Sequence, residues 1–182
     1  MHQLVFIGAS TGGPGQITKI VQNLSKSTTA SFIIAQHMQS EILKSFVSQL
    51  SQKTELAVYL AEDKTLIQPA SIYICKESLE ISCEKTPCFL TTVKSVYTPS
   101  IDILFQSAVR LLPKFGVIAI ILTGIGDDGA KGLHELYNKG AVCIAESQES
   151  AKVYGMPKAA FEHTPAIEIM NINSIIAYLK HV

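Results

Sequence analysis

Runs of apolar residues alternate along this chain with segments whose apolar positions return every third or fourth residue. The runs Gln3–Gly8, Ser31–Ala35, Ala57–Leu60, Ser71–Cys75, Leu79–Cys83, Cys88–Val93, Val117–Thr123, Ala141–Ala145 and Ile167–Ile169 have the length and composition of strands. Between them, Pro14–Leu24, Ser40–Ser51, Ser100–Leu112, Gly126–Asn138 and Asn173–Lys180 carry helical spacing. Ile17, Ile20, Val21 and Leu24 show it clearly, as do Ile101, Leu104, Phe105, Ala108, Leu111 and Leu112. VFIGA, FIIAQ and VIAIILTG are nearly continuous apolar runs, the pattern of parallel strands covered on both faces. The alternation therefore predicts an α/β fold, a doubly wound and mostly parallel sheet with helices on both faces. From Ile72 to Val93 three short strand signals leave no room for helices. That stretch predicts a β-hairpin addition at one edge.

Local chemistry supports these boundaries. Ser100 is placed to cap the helix that begins after it, Pro113 closes that helix, and Gly140 stands where the next one should end. No linker, repeat or low-complexity segment interrupts the 182 residues, so the expectation is one domain over 1–182.

Composition narrows the function classes. Apolar residues make up 47% and charged residues 16%, which suits a globular chain. Fifteen basic residues offset fifteen acidic ones, without any basic cluster, so no field favours nucleic acid or an anionic membrane. No signal sequence is legible, and no apolar run approaches the ~18 residues of a membrane span. Cys75, Cys83, Cys88 and Cys143 form no C-x-x-C pair and read as core residues of a reducing compartment. The chain is thus expected to be cytoplasmic, with no metal and no cofactor.

In an open parallel sheet, ligands bind beyond the carboxyl ends of the strands. The residues standing there are Ser10 and Thr11, then Gln36, His37 and Met38, then Gly124, Gly126, Asp127 and Asp128, then Glu146, Ser147 and Gln148. A serine, a histidine and carboxylates converge on one edge.

Gly8-Ala9-Ser10-Thr11-Gly12 fits G-x-S-x-G between a strand and a helix. Three readings stay open: a nucleophilic serine on a sharp turn, a phosphate cradle at a helix N-terminus, or a tight structural turn. The cradle lacks the Lys-Ser/Thr of a P-loop, and Ser10 replaces the middle glycine of G-x-G-x-x-G. His37 is the candidate base, since an imidazole can take a serine proton at neutral pH. Asp127 and Asp128 compete for a third role, accepting the imidazole Nδ1–H, and helix capping could account for one of them. His2, His134, His163 and His181 have no metal-ligand spacing. Tyr154-Gly155-Met156-Pro157 begins a helix that either shapes the cleft or only starts there.

The segments IGASTGGPGQI, AQHM, TPSIDILF, ILTGIGDDGAKGL and YGMPKAA, in order from Ile7 to about Ala160, resemble the C-terminal catalytic domain of the chemotaxis protein-glutamate methylesterase family, CheB. The resemblance implies a cytoplasmic serine hydrolase that demethylates glutamate γ-methyl esters on chemoreceptor helices, with deamidation of receptor glutamines as a second activity. It assigns Ser10 as nucleophile, His37 as base and Asp128, directly before a glycine, as the third member. Thr11, Gly12 and Ile125 become candidates for the backbone groups that hold the oxyanion. Ser10 Oγ is then expected within or near hydrogen-bond reach of His37, with Asp128 on the far side of the ring.

Three departures from the family pattern stand out. Ile125 replaces a methionine, Tyr97-Thr98-Pro99-Ser100 replaces H-R-P-S, and Cys75-Lys76-Glu77-Ser78 replaces a longer segment. The phosphoacceptor receiver domain usual in the family is not expected in this chain, whose first strand begins near Met1. Two other readings remain: a non-catalytic phosphate- or nucleotide-binding module, and an esterase of the same family with a different substrate.

Overall fold

The unbroken apolar runs become the centre of a seven-stranded sheet in the computed structural model, which describes residues 1–83, 86–91 and 95–182. In chain order the elements are β1 (Gln3–Ala9), α1 (Gly13–Val21), β2 (Ser31–Gln36), α2 (Ser40–Ser51), β3 (Ala57–Ala61), β4 (Ser71–Cys75), β5 (Leu79–Cys83) and β6 (Pro87–Thr91). After these come α3 (Ile101–Ala108), a 3-10 turn (Val109–Leu111), β7 (Gly116–Ile121), α4 (Ala130–Asn138), β8 (Val142–Glu146), α5 (Gly155–His163), β9 (Glu168–Met170) and α6 (Ile172–Leu179).

The strand order is β3-β4-β2-β1-β7-β8-β9, with all neighbours parallel. From β1 the chain first winds one way, to β2, and only later returns to add β7 on the other side. The order reverses at β1, and such a switch point opens a crevice beyond the strand ends. Ser10 comes directly after β1 and the Gly124–Asp128 turn after β7, so both stand at that crevice.

Side chains alternate between two buried cores. Val5, Ile7, Phe32 and Ile34 face α1, α2 and α6, packing on Ile17, Phe46 and Ile175. Leu4, Phe6, Ile33 and Tyr73 face the other way, under Phe105 of α3, Leu133 of α4 and Met156 of α5. Helices therefore cover both faces, as the alternation predicts.

The hairpin is present but smaller than the three strand signals suggest. Among the named strands, β5 and β6 pair antiparallel as a separate two-stranded sheet. Ser71–Cys75, the first of the three signals, is instead an inner parallel strand between β2 and β3. Its five residues are all buried, the burial of an inner strand rather than a half-exposed hairpin arm. The hairpin lies over the α3 face, where Leu79, Ile81 and Phe89 join the core and Ser107 Oγ accepts the Ile81 N–H at 2.8 Å. The last part of the expected strand Cys88–Val93 lies outside the described residues.

Helix boundaries shift for local reasons. The helix expected from Gly126 begins at Ala130, because Gly126 and Gly129 adopt φ of 90° and 96° in the turn before it. Ser100 caps α3 as expected, its hydroxyl accepting the Ile103 N–H at 3.4 Å. Gly8 lies within β1, and its lack of a side chain admits α3: a Cβ there would stand 2.4 Å from Ile101 Cγ2. Among the described residues no helix is long and apolar enough to cross a membrane. All four cysteines are free, and burial pushes the thiols of Cys75 and Cys143 up to about 12.

Candidate active site

Ser10 stands one residue beyond β1, and the sheet itself fixes its backbone. Its N–H donates to Thr123 O at 3.0 Å, and its carbonyl accepts the Gly13 N–H at 2.8 Å as the chain turns into α1. Gly12 makes that turn at φ 84°, a conformation that side chains other than glycine adopt only with strain. The Ser10 hydroxyl makes no hydrogen bond to a described residue, His37 included. The oxygen is free to meet a substrate.

His37 extends the β1–β2 ladder by one residue, its N–H donating to Ala9 O at 3.0 Å. The backbones of Ser10 and His37 are thereby side by side. The ring nitrogen Nε2 lies 2.8 Å from Asp128 Oδ2. A carboxylate oxygen can only accept here, so Nε2 carries the hydrogen and Nδ1 is the basic nitrogen. This corrects the expectation that the carboxylate would take the Nδ1–H. The constellation keeps its logic with the ring nitrogens exchanged.

Asp128, 2% exposed, is the most tightly held member. Its Oδ2 also accepts the Ile101 N–H at 2.8 Å, and its Oδ1 accepts the Asp102 N–H at 3.0 Å and the Ser100 hydroxyl at 3.4 Å. These two amides belong to the first turn of α3, whose N–H groups have no partner within the helix. Asp128 is thus a helix cap as well as the acid beside His37, and the helix it caps is not the one it precedes. The service is reciprocal: Asp102, in the first turn of α3, accepts the Gly132 N–H of α4 at 2.8 Å. Burial, together with the nearby Asp128 charge, raises the Asp102 pKa above the usual carboxylate value despite that bond. Asp127 points elsewhere. Its Oδ1 accepts the Tyr97 hydroxyl at 3.4 Å.

Tyr97 lies flat on the imidazole of His37, with centroids 5.2 Å apart and planes 3° from parallel. Partial burial and the carboxylates of Asp127 and Asp128 raise its phenol pKa. The sequence marks Tyr97 only as a departure from the family pattern. Its stacking depends on the fold.

The three backbone candidates are placed alike. Thr11, Gly12 and Ile125 have N–H groups with no acceptor among the described residues. The turn that carries Ile125 is pinned on both sides, Gly124 N–H donating to Val153 O at 3.0 Å and Gly124 O accepting the Met156 N–H at 2.9 Å. Ile125 itself is 64% exposed. Beside His37 a cleft of about 760 Å³ opens between Met38, Ser40, Glu41, Lys76 and Thr98. Segments 75–78 and 97–100, where the chain departs from the family pattern, therefore both contribute to its wall.

A buried polar cluster supports the site from below. Glu146, fully buried at the end of β8, accepts Gln16 Nε2 at 2.5 Å, the Ser150 hydroxyl at 2.8 Å and the Thr123 N–H at 2.9 Å. The Thr123 hydroxyl in turn donates to Thr11 O at 2.8 Å. Strand-end position singles out Glu146 in the sequence, but only its partners give it a role. The rings of His2, His134 and His163 are taken up in local hydrogen bonds. No group of three or more metal-ligating side chains gathers among the described residues.

Comparison with known proteins places these features in context. The family model described as CheB methylesterase matches residues 5–179. The chain is 35% identical over 184 residues to a protein-glutamate methylesterase/protein-glutamine glutaminase of Carboxydothermus hydrogenoformans, the match covering 95% of this chain and 51% of that protein. It is 36% identical to the corresponding protein of Bacillus subtilis, covering 97% and 51%. The chain therefore spans about half the length of the curated relatives it matches. Among solved structures, the CheB methylesterase catalytic domain of Thermotoga maritima matches with a TM-score of 0.91 and 31% identity, covering 100% of this chain and 98% of that one.

Proposed function

Because this chain belongs to the CheB methylesterase family, we propose that Ser10, His37 and Asp128 are the catalytic triad of a serine hydrolase acting on glutamate γ-methyl esters of chemoreceptor cytoplasmic helices. The names of its relatives couple methylesterase with glutaminase, and the same site would hydrolyse receptor glutamines to glutamate. The observation that carries this reading is the 2.8 Å pairing of Asp128 with His37, which follows the strand adjoining that of a serine whose hydroxyl is unengaged among the described residues.

The reaction proceeds from the donor pattern. Nδ1 of His37 takes the Ser10 proton as Oγ attacks the ester carbonyl carbon. Asp128, held by two α3 amides, stabilises the imidazolium that forms and keeps the ring oriented. Negative charge develops on the carbonyl oxygen, where the unspent N–H groups of Thr11, Gly12 and Ile125 are the candidates to receive it. His37 then gives the proton to the departing methoxide oxygen, releasing methanol and leaving an acyl-serine. Water, deprotonated by the same nitrogen, frees the glutamate. For a glutamine the leaving group is ammonia.

Ser10→Ala is the direct test. Methanol release from methylated receptor should fall by roughly 10³-fold or more, since the acyl-serine of this mechanism can form only on Ser10 Oγ. Undiminished release would refute the assignment.

A further inference from the structure

Phe32, Ile34 and Gln36 fall on the same face of β2, and this alternation calls for an apolar residue at the third position. The chain has a glutamine there, 1% exposed. Its Nε2 donates to the carbonyl of Ser10 at 2.9 Å and to the carbonyl of its neighbour His37 at 2.9 Å. One buried amide thus ties together the backbones that carry the two side chains between which a proton must move.

The other half of the amide has no partner. Gln36 Oε1 is buried without a hydrogen bond. It lies against Gly13, where a Cβ would stand 2.1 Å from Oε1 and 2.7 Å from Ala9 Cβ. Turning the amide over would set Oε1 against two carbonyl oxygens, so the observed orientation is dictated by Ser10 and His37. A buried acceptor left unpaired is unfavourable. An apolar residue at 36 would avoid that, but it would leave the His37 carbonyl without this donor and the two segments without a tie.

We propose that Gln36 is a positioning residue that fixes the distance between nucleophile and base, and that Gly13 serves to admit its amide. The proposal rests on the hydrolase reading of the site. Small displacements of reacting groups carry large kinetic penalties, on the order of 100-fold for about 1 Å. The effect should fall on kcat, because Gln36 is buried and presents no group to the substrate.

The test compares wild type, Gln36→Glu, Gln36→Met and Gly13→Ala, with Ser10→Ala as baseline, on a helical peptide carrying a glutamate γ-methyl ester. Gln36→Glu keeps the shape but sets a carboxylate oxygen against the two carbonyls, whereas Gln36→Met only removes the donors. Expected is a kcat order of wild type, then Met, then Glu, with Met down about 10- to 100-fold, Glu lower still, and KM within about twofold. Rates are taken well below each thermal midpoint and per folded molecule, which removes any loss due to unfolding alone. Gly13→Ala should reproduce the Met signature. Crystal structures of the Gln36 variants supply a readout independent of turnover, with Ser10 and His37 displaced relative to each other. If wild-type turnover does not depend on Ser10, the hydrolase reading fails and the crystallographic arm alone decides the tie. Full kcat in Gln36→Glu, or unmoved Ser10 and His37 in both variant structures, overturns the proposal.

Discussion

Replacing Asp128 by asparagine removes charge while keeping shape, and the surrounding donors determine the outcome. Oδ2 accepts from Ile101 N–H and His37 Nε2, and Oδ1 from Asp102 N–H and the Ser100 hydroxyl. An asparagine has one oxygen for these two sets. With the amide oxygen towards His37, its NH2 meets the Asp102 N–H. With the oxygen towards Asp102, the NH2 meets the Ile101 N–H and forces Nε2 to accept. The hydrogen of a neutral ring then moves to Nδ1, and the base that the proposed mechanism needs is gone. Either way one buried amide of α3 loses its acceptor, at a cost of about 1–3 kcal/mol. For a chain of this size that is a fall of roughly 2–12 °C in thermal midpoint. The wrong tautomer costs about 10⁴-fold in kcat in Ser-His-Asp enzymes. Methanol release from the methylated peptide, measured beside calorimetry, should show both losses. Asp127→Asn is the control, since the Asp127 carboxylate accepts from the outer tyrosine and not from His37 or the α3 amides, and it should stay within about fivefold of wild type, as expected for an acid outside the proposed triad. Asp128→Asn with more than a tenth of wild-type kcat, or Asp127→Asn as damaged as Asp128→Asn, would refute the reasoning.

Two further predictions concern stability. The folded-state pKa of Asp102 is raised by burial and by Asp128, so its ionised form is disfavoured by folding, and the penalty grows as pH climbs through the carboxylate range and persists at neutrality. Asp102→Asn keeps an oxygen for the Gly132 N–H but cannot ionise. Its thermal midpoint relative to wild type should therefore be higher at pH 7 than at pH 3, and a difference independent of pH contradicts the argument. Gly8→Ala sets a Cβ 2.4 Å from Ile101 Cγ2 at the start of α3. It should destabilise by about 1–3 kcal/mol and lower kcat as well, because the amides that hold Asp128 move with Ile101. Denaturant titration and the methanol assay measure the two effects.

Much of this architecture is legible in the chain because it rests on local rules. The continuous apolar runs of β1, β2 and β7 could be satisfied only by strands buried on both faces. That burial puts the residues after each strand at the crevice, which is how Ser10, His37 and the Gly124–Asp128 turn come to attention. The errors have equally definite causes. Ser71–Cys75 has the length of a hairpin strand, and only its pairing with β2 and β3 reveals an inner position. Periodicity carries no information about pairing order. Helix capping could account for one of Asp127 and Asp128, but the helix that Asp128 caps is α3, whose start lies 27 residues away in the chain.

The sequence alone, then, determines the kind of each element and which residues stand at strand ends, since both depend on side-chain period and chain direction. It also brings a serine, a histidine and a carboxylate to one edge of the sheet. Tertiary structure decides which atoms face which. That Nε2 rather than Nδ1 meets Asp128, that Tyr97 covers the imidazole, and that Gln36 ties Ser10 to His37 all depend on distances between residues remote in sequence. Hydrogen bonds and ring contacts act over a few ångströms, and only the packing of separate elements across the switch point brings such groups that close.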